Sequence, residues 1–536
     1  MTNRTRTDAL LLAGFCSFLF LYGLGQFGLI GADEPRYAQV AREMLERRDW
    51  VTPVLWGQPW LEKPPLYYWQ AMLAYAIFGV SDWAARLPAV LDATLLVLAV
   101  YFFLRRFRRG FELDGALITA SSAGVIGYAR AASMDMALAA TFTIGMLGWW
   151  AWRETGKKIL LAVFYGFMAL GMLAKGPVAP FLAAMVIVLY ALAVREGRLV
   201  KTLWLPGILL FCAIALPWYF AVQIRHPEFF REFIVEHNLG RFSKNLYHHT
   251  EPFWYYLPVT ALALVPWTVF VTAALVQRLR VGWAKRMLVG EAGSDLGHQF
   301  GVFACCWLIL PVLFFSISQS KLPGYILPAL PAGGLLLAEY LRDHLEGNEP
   351  VAKGLVVLHA LLAGLLIVPA LLIAYLVTQH RLPGGRPMVG ALSIAFVLSV
   401  GIAFTLLRKT GLRLLRFVTL IPVLLTVGAV LRLGAVSLDQ TLSARPLAHE
   451  IAGMETRPLP LAVYHVSREL EYGLTFYLNH LTFNYDWGSV PKEEHLLVAP
   501  ENSQAEIAKL VPGRRVSYLG HYAAQHLDYY WVAPAR

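Results

Sequence analysis

Charge is what this chain of 536 residues has least of: charged residues make up 15% of it, against 57% hydrophobic. A soluble chain of this size carries about 25% charge, so the deficit excludes an ordinary soluble globular domain. Cysteine is scarcer still. Cys16, Cys212, Cys305 and Cys306 are the four present, all within apolar runs and none in a CxxC pair. Neither a disulfide framework nor a thiolate metal site is expected from them. The net charge of +11 gives no nucleic-acid signal, because the basic residues form short clusters between apolar runs. Such clusters mark the cytoplasmic face of a membrane protein.

What fills the chain instead is apolar runs of roughly 18 to 22 residues, each long enough to cross about 30 Å of hydrocarbon as a helix. The expected fold is a polytopic α-helical membrane protein. Five basic clusters fix the parity: Arg105 to Arg109, Arg153 with Lys157 and Lys158, Arg195 with Arg198 and Lys201, Arg278 to Arg286, and Arg408 to Arg416. Keeping all five on the cytoplasmic side with the N-terminus predicts about 13 crossings, at 9–31, 87–104, 115–133, 136–152, 159–175, 178–194, 203–222, 253–275, 300–318, 324–341, 354–378, 389–407 and 417–435. The first run is long for a signal sequence and is read as an uncleaved span. Leu66 to Val80 is too short to span and is expected to lie at the outer interface.

This topology divides the chain into a membrane domain, residues 1–435, and a polar C-terminal unit, residues 436–536, outside the cytoplasm. The strand-like runs LAVYHV, HLLVAP, VSYLGHY and YYWVAPAR, with a helix around Ser503 to Leu510, predict a small α/β fold there. Two large external loops remain, 32–86 and 223–252. In the first, Tyr37, Val40, Ala41, Met44 and Leu45 recur at helical spacing among charges, which predicts an amphipathic helix on the membrane surface. Asp33 followed by Pro35 reads equally as the start of that helix, with Asp33 as its cap.

The unusual polar residues all fall on the external side. Asp33, Glu34, Arg36, Glu62 and Lys63 belong to the first loop, and His237 and Arg241 to the second. Asp135 in SMDM, Lys175 in LAKGPVAP, and Lys321 and Tyr325 in SKLPGYILPALP sit at external span ends. Ionisable groups at membrane depth are costly unless they face a cavity, a partner or a ligand. Singly, each has a plain alternative: Lys175 snorkelling, Lys321 anchoring a helix end, Asp135 pairing with Arg130. Together, cations and a tyrosine hydroxyl suit a phosphate. A carboxylate beside them suits a general base, or charge stabilisation at a sugar carbon.

GADEPRYAQVAREMLERRDWVTPVLWGQPWLEKPPLYYW, SMDM, LAKGPVAP, EHNLGRF and SKLPGYILPALP, in this order over most of the first 340 residues, resemble the protein O-mannosyltransferase-like superfamily of GT-C membrane glycosyltransferases. Within it they resemble bacterial aminoarabinose transferases that modify lipid A. The resemblance implies an undecaprenyl-phosphate donor carrying aminoarabinose, or alternatively mannose, galacturonic acid or another sugar, no nucleotide cofactor, and an acceptor that is lipid A or another envelope glycan or protein. It implies a bacterial inner-membrane enzyme whose site and C-terminus face the periplasm. Asp33 would be the carboxylate nearest the reaction centre and Asp135 a second acid. Arg36, Lys63, Arg241 and Tyr325 would surround the donor phosphate, with Glu34 and Lys321 as further site residues. Glu62 would hold a divalent metal, zinc or magnesium, with His237, or else with His248 or His249. A transporter or lipid flippase is the rival reading, but it calls for inverted repeats and midplane charges, and the charges here gather at one face.

Overall fold

The computed structural model describes residues 3–195, 197–233, 251–288, 296–347, 350–377, 386–408, 411–454 and 459–534. Apolar sequence without a soluble partner for its backbone satisfies its hydrogen bonds within helices, and helices dominate. The first ten are α1 (Asn3–Cys16), α2 (Asp33–Arg47), α3 (Leu66–Phe78), α4 (Asp82–Phe107), α5 (Glu112–Ser121), α6 (Ala123–Ala129), α7 (Asp135–Thr155), α8 (Lys158–Lys175), α9 (Val178–Val194) and α10 (Leu205–Arg225).

Among the described residues, eight helical stretches are long and apolar enough to cross a membrane, and a ninth is the pair Tyr256–Ala263 and Thr268–Arg280, bent by 115°. The other four expected crossings look different. The run at 9–31 is helical only to Leu21, as α1 and one π turn, before the glycine-rich segment LYGLGQFGLIG leaves the helix. The run at 115–133 is broken into α5 and α6 by an extended Ser122. α7 is one helix of 21 residues, buried on nearly every face, and α9 has only 17 residues. Gly145 lets α7 meet α8 closely, since a Cβ there would come within 2.3 Å of Met168. Small residues serve this purpose where membrane helices pack.

α2 and α3 form a layer across one end of the bundle, joined by a short hairpin of β1 (Val54–Leu55) and β2 (Gln58–Pro59). The apolar face of α2, with Tyr37, Val40, Ala41 and Met44, is buried against Tyr67, Tyr68 and Ala71 of α3. The amphipathic helix expected there therefore faces protein.

At the same end stands the C-terminal α/β unit. Its sheet runs β4 (Thr482–Asn484), β3 (Leu461–Val463), β5 (His495–Pro500), β7 (Leu527–Pro534), β6 (Arg514–Tyr522), parallel on the β4 side and antiparallel on the other. β5 is central, which is why HLLVAP is apolar nearly throughout. The helix Arg468–Leu478 docks this unit onto α2. Arg42 donates to the Phe476 carbonyl at 3.2 Å, and Tyr477 Oη accepts from the Leu29 amide and donates to Asp82, at 2.7 and 2.6 Å.

Candidate active site

Asp33 opens α2, but the helix cap is Ala32 and no side chain caps the turn. The expectation of a capping role for Asp33 is thereby corrected. Its carboxylate pairs instead with Arg36, one helical turn on. Asp33 is half exposed, at 50%, while Arg36 is 13% exposed.

Three rings surround the Arg36 guanidinium, Tyr37 at 5.0 Å, Trp60 at 5.3 Å and Tyr472 at 5.6 Å from ring centroid to Cζ. Such faces attract a cation and hold it without neutralising it. Burial works against the Arg36 charge, yet Tyr37, Asp33, Glu62 and Tyr472 outweigh it and raise its pKa. Arg36 Nε is buried with no hydrogen-bond partner among the described residues. A fixed cation with an unused donor is what an anionic ligand needs.

Glu62 and Lys63 lie beside it. Lys63 is buried, with Nζ 3.7 Å from Glu62 Oε2, and the two prolines that follow stiffen the chain there. The Tyr68 hydroxyl is buried without a partner among the described residues. Burial pushes the Tyr68 phenol up, and Tyr37, Glu62 and Asp33 add to the shift. It stays protonated and can donate.

The second half of the site comes from the bundle. Asp135 opens α7 and Lys175 closes α8, each at the helix end whose dipole favours its charge. They form an ion pair, and Lys175 Nζ also lies 4.8 Å from the centre of the Tyr325 ring. The alternative pairing of Asp135 with Arg130 is not formed, because Arg130 donates to the carbonyls of Leu19 and Phe20 at 3.1 and 3.3 Å. The SKLPGY segment presses on this pair so closely that a Cβ on Gly324 would lie 2.8 Å from Asp135 Cγ and 2.7 Å from Tyr128 Oη. Lys321 is buried and donates to the Ser318 carbonyl at 2.6 Å. Tyr37 lies within reach of charges from both halves. Burial raises the Tyr37 phenol most, and Asp33, Glu62 and Asp135 all raise it further.

Glu34, expected among the site residues, has a different employment. Its carboxylate accepts from Arg86 Nε and Nη2 at 3.1 and 2.6 Å, from the Ile30 amide at 2.9 Å and from the Ala132 amide at 2.8 Å. It is an anchor tying α2 to α4 and to the turn before α7. Arg241 and His237, with His248 and His249, lie outside the described residues. Among the described residues no group of three or more His, Cys, Asp or Glu is placed to hold a metal. Glu62 lies beside Lys63, and the histidines expected to complete a metal site with it lie outside the described residues.

Trp60, Tyr68 and Tyr472 enter the site without having been singled out in the sequence. Aromatic density in LWGQPWLEKPPLYYW is a signal for the first two. Tyr472 has no local signal, because it arrives from the C-terminal unit, where it also stacks on Trp56 at 5.4 Å.

With this geometry in hand, residues 9–231 match the family described as Dolichyl-phosphate-mannose-protein mannosyltransferase, PMT. A Pseudomonas paraeruginosa protein named undecaprenyl phosphate-alpha-4-amino-4-deoxy-L-arabinose arabinosyl transferase is 32% identical over 357 residues, which is 65% of this chain and 62% of that protein. A Yersinia pestis protein of the same name is 31% identical over 348 residues, 63% of this chain and 60% of that one. The matched region thus spans about three-fifths of the length of these curated relatives. The crystal structure of ArnT from Cupriavidus metallidurans bound to undecaprenyl phosphate superposes with a TM-score of 0.74 at 22% identity, over 98% of this chain and 97% of that one. Its apo form gives 0.75 at 21% identity, over 99% and 98%. The chain has that multi-pass membrane fold, and the resemblance seen in its loop motifs holds.

Proposed function

We propose that the protein transfers aminoarabinose from an undecaprenyl-phosphate donor to a phosphate of lipid A, on the periplasmic face of a bacterial inner membrane. The observation that carries this reading is Arg36, buried in an aromatic cage with an unused donor, beside Lys63 and the half-exposed Asp33. The relatives' names supply the sugar and the lipid carrier, and the Cupriavidus fold match supplies a membrane frame of the same kind.

In this reading Arg36 and Lys63 hold the donor phosphate, with Tyr68 and Tyr325 as hydroxyl donors and Arg241 joining from the second loop. The bond between the sugar's anomeric carbon and the carrier phosphate oxygen breaks. Its electron pair leaves on that oxygen, where Arg36 and Lys63 stabilise the charge. An oxygen of the lipid A phosphate forms the new bond from the opposite face, so the anomeric centre inverts. The acceptor is already anionic and needs no strong base. Asp33 stabilises positive charge at the sugar carbon and fixes Arg36, while Asp135 and Lys175 form the opposite wall.

The same reading includes thirteen crossings, an N-terminus in the cytoplasm and a periplasmic C-terminal unit. It also includes a divalent ion on Glu62 completed by His237, through which no step above is routed. Activity unaffected by exhaustive chelation removes that ion from the proposal.

The test is reconstitution of the purified protein with undecaprenyl-phosphate aminoarabinose and lipid A. Release of undecaprenyl phosphate together with lipid A heavier by one aminoarabinose is the expected result. Donor left intact overturns the donor assignment. Donor consumed only when a different acceptor is supplied overturns lipid A.

A further inference from the structure

The C-terminal sheet has a packed core on each face. Tyr529 of β7 joins Leu470 and Leu474 of the helix Arg468–Leu478 in one, and Tyr530 joins Ile507 of the helix Gln504–Leu510 in the other. The first of these faces carries Tyr472 to the candidate active site. The second, on the other side of the sheet, borders a hollow of about 610 Å³ beside the edge strand β6, within the size range of ligand pockets. Its wall includes Glu501, Asn502, Gln504, Tyr518, His521 and Asp528.

A departure from regular strand structure builds this wall. Tyr518 pairs with Tyr530, and the register then shifts, so that Gly520 faces Tyr529 and His521 faces Asp528. Regular alternation would send His521 to the opposite face from Tyr518. The bulge turns it to the side of Tyr518, Tyr530 and Asp528 instead. Glycine is needed there, because a Cβ on Gly520 would lie 2.5 Å from Tyr529 Cε2. His521 Nδ1 donates to Asp528 Oδ1 at 2.8 Å, which leaves Nε2 as an acceptor on a side chain 35% exposed. Asp528 Oδ2 accepts from the Asn502 amide at 2.9 Å and from Tyr530 Oη at 3.0 Å. Asn502 is held there in the left-handed region, at a φ of 63°, with its side chain exposed. Gln504 donates to the Val516 carbonyl at 3.0 Å and offers its Oε1 as an acceptor. The Tyr518 ring stands edge-on to Tyr530, 6.1 Å between centres, and is 54% exposed.

An exposed tyrosine on an edge strand is ordinary by itself. A bulge that gathers that ring, a histidine held by an aspartate and two amide side chains around one hollow is not. We propose that this hollow binds a sugar ring that carries no acidic group. The Tyr518 ring offers a flat apolar face for the C–H bonds of a pyranose. His521 Nε2 and Gln504 Oε1 accept from its hydroxyls, and the Asn502 side chain both donates and accepts, as adjacent hydroxyls require. Glu501 and Asp528 accept as well, and their charge opposes a uronate or a sugar phosphate. Tyr522 and Gln525, close by in the chain, donate to the Gln440 carbonyl at 3.2 and 3.0 Å, in the helix Ala435–Leu442. The hollow therefore lies near the point where the chain leaves the helix bundle, within reach of a membrane-anchored glycan as well as a soluble saccharide. The site is independent of the transfer reaction and stands whether or not that reading does.

The test uses the full-length protein in a polyoxyethylene detergent, which carries no sugar of its own. Methyl glucoside, methyl galactoside and methyl N-acetylglucosaminide are the neutral probes, methyl glucuronide is the acidic one, and binding is read by saturation-transfer NMR titration. At least one neutral glycoside is expected to bind saturably, and methyl glucuronide about 10-fold more weakly. Tyr518→Ala, at an exposed position, is expected to weaken the neutral glycoside about 10-fold, and Tyr518→Phe to keep nearly wild-type affinity. Tighter binding of the octyl than of the methyl form of that glycoside assigns the site to a membrane-anchored glycan, and equal binding assigns it to a soluble saccharide. Equal affinity in the wild type and Tyr518→Ala overturns the proposal. Equal affinity for the neutral and acidic glycosides, or no saturable binding of any neutral one, overturns it as well.

Discussion

Asp33 and Glu34 are neighbours in the chain, yet one faces the candidate site and the other is held in the scaffold beneath it. Glu34 is 7% exposed and Arg86 1% exposed. Four donors meet the Glu34 carboxylate, and the remaining Arg86 protons go to the carbonyls of Leu24, Phe27 and Gly28 at 3.0, 2.9 and 2.8 Å. Every lone pair and proton has a partner, which is the condition for a buried ion pair to be tolerated. Asp33 sits half exposed with one oxygen on Arg36, and Arg36 keeps a buried Nε unused. A saturated polar network holds a structure in place. An unsaturated one, caged by aromatic rings, is ready for a ligand.

Substitutions can break this contrast from either side. The largest effect on stability is expected at the anchor. Arg86→Met leaves the Glu34 charge buried without its counter-ion and should cost about 3–5 kcal/mol, read as a lower thermal unfolding midpoint in detergent. A loss below about 1 kcal/mol would mean that backbone amides alone suffice for Glu34.

On the candidate site's far wall, Lys175→Met should reduce turnover about 100-fold or more, because Asp135 loses the cation it is directly paired with and the wall loses its positive charge. The folded yield should change little. Unchanged turnover would move Asp135 and Lys175 from the site to the scaffold. A smaller effect is expected at Tyr472, one of three rings around Arg36. Tyr472→Leu removes a cation–π contact of about 0.5–1 kcal/mol. It should raise KM for the lipid-phosphate donor about 2- to 5-fold and leave kcat near its wild-type value. A loss confined to kcat would contradict a role in holding the cation.

The smallest effect concerns the C-terminal sheet. His495 is buried, facing the Glu493 carbonyl at 2.8 Å and Tyr485 Oη at 2.5 Å, and burial lowers its pKa. The unfolded chain takes up that proton near the ordinary histidine value of about 6.5, and the folded sheet resists it. Stability from this residue is therefore complete above that value and declines as the pH falls below it. The protection of β5 amides, after correction for the intrinsic exchange rate at each pH, should fall between pH 7 and pH 5, and His495→Asn should remove that pH dependence.

Much of the candidate site's geometry was legible because it is local. The spacing of Asp33 and Arg36 places both on one turn of α2, and the charges at the ends of apolar runs, Asp135 and Lys175, announced themselves by their cost. Their partners were not legible. That Asp135 meets Lys175 rather than Arg130 depends on α7 and α8 packing antiparallel. Glu34 reads like Asp33 until Arg86 of α4 is seen beside it, and Tyr472 comes from another domain.

The fold divides in the same way. Apolar length identified helices such as α4, α8 and α10, while the break at Ser122 and the exit at Gly23 are decided by packing and backbone conformation that hydropathy does not register. In the C-terminal unit, the short strand-like runs LAVYHV, HLLVAP, VSYLGHY and YYWVAPAR marked four of the five strands, and the three-residue β4 was missed. Their order in the sheet, with β3 between β4 and β5, follows from crossovers that no local pattern records.

The most direct measurement is mass spectrometry of lipid A from bacteria lacking their own aminoarabinose transferase but retaining the donor. The cells express either the wild-type chain or Asp33→Asn at matched membrane levels. The account predicts lipid A heavier by aminoarabinose with the wild type and unmodified lipid A with the variant. Modification that persists at wild-type levels in Asp33→Asn cells would contradict the division between Asp33 and Glu34. Lipid A left unmodified by the wild type would contradict the proposed transfer itself.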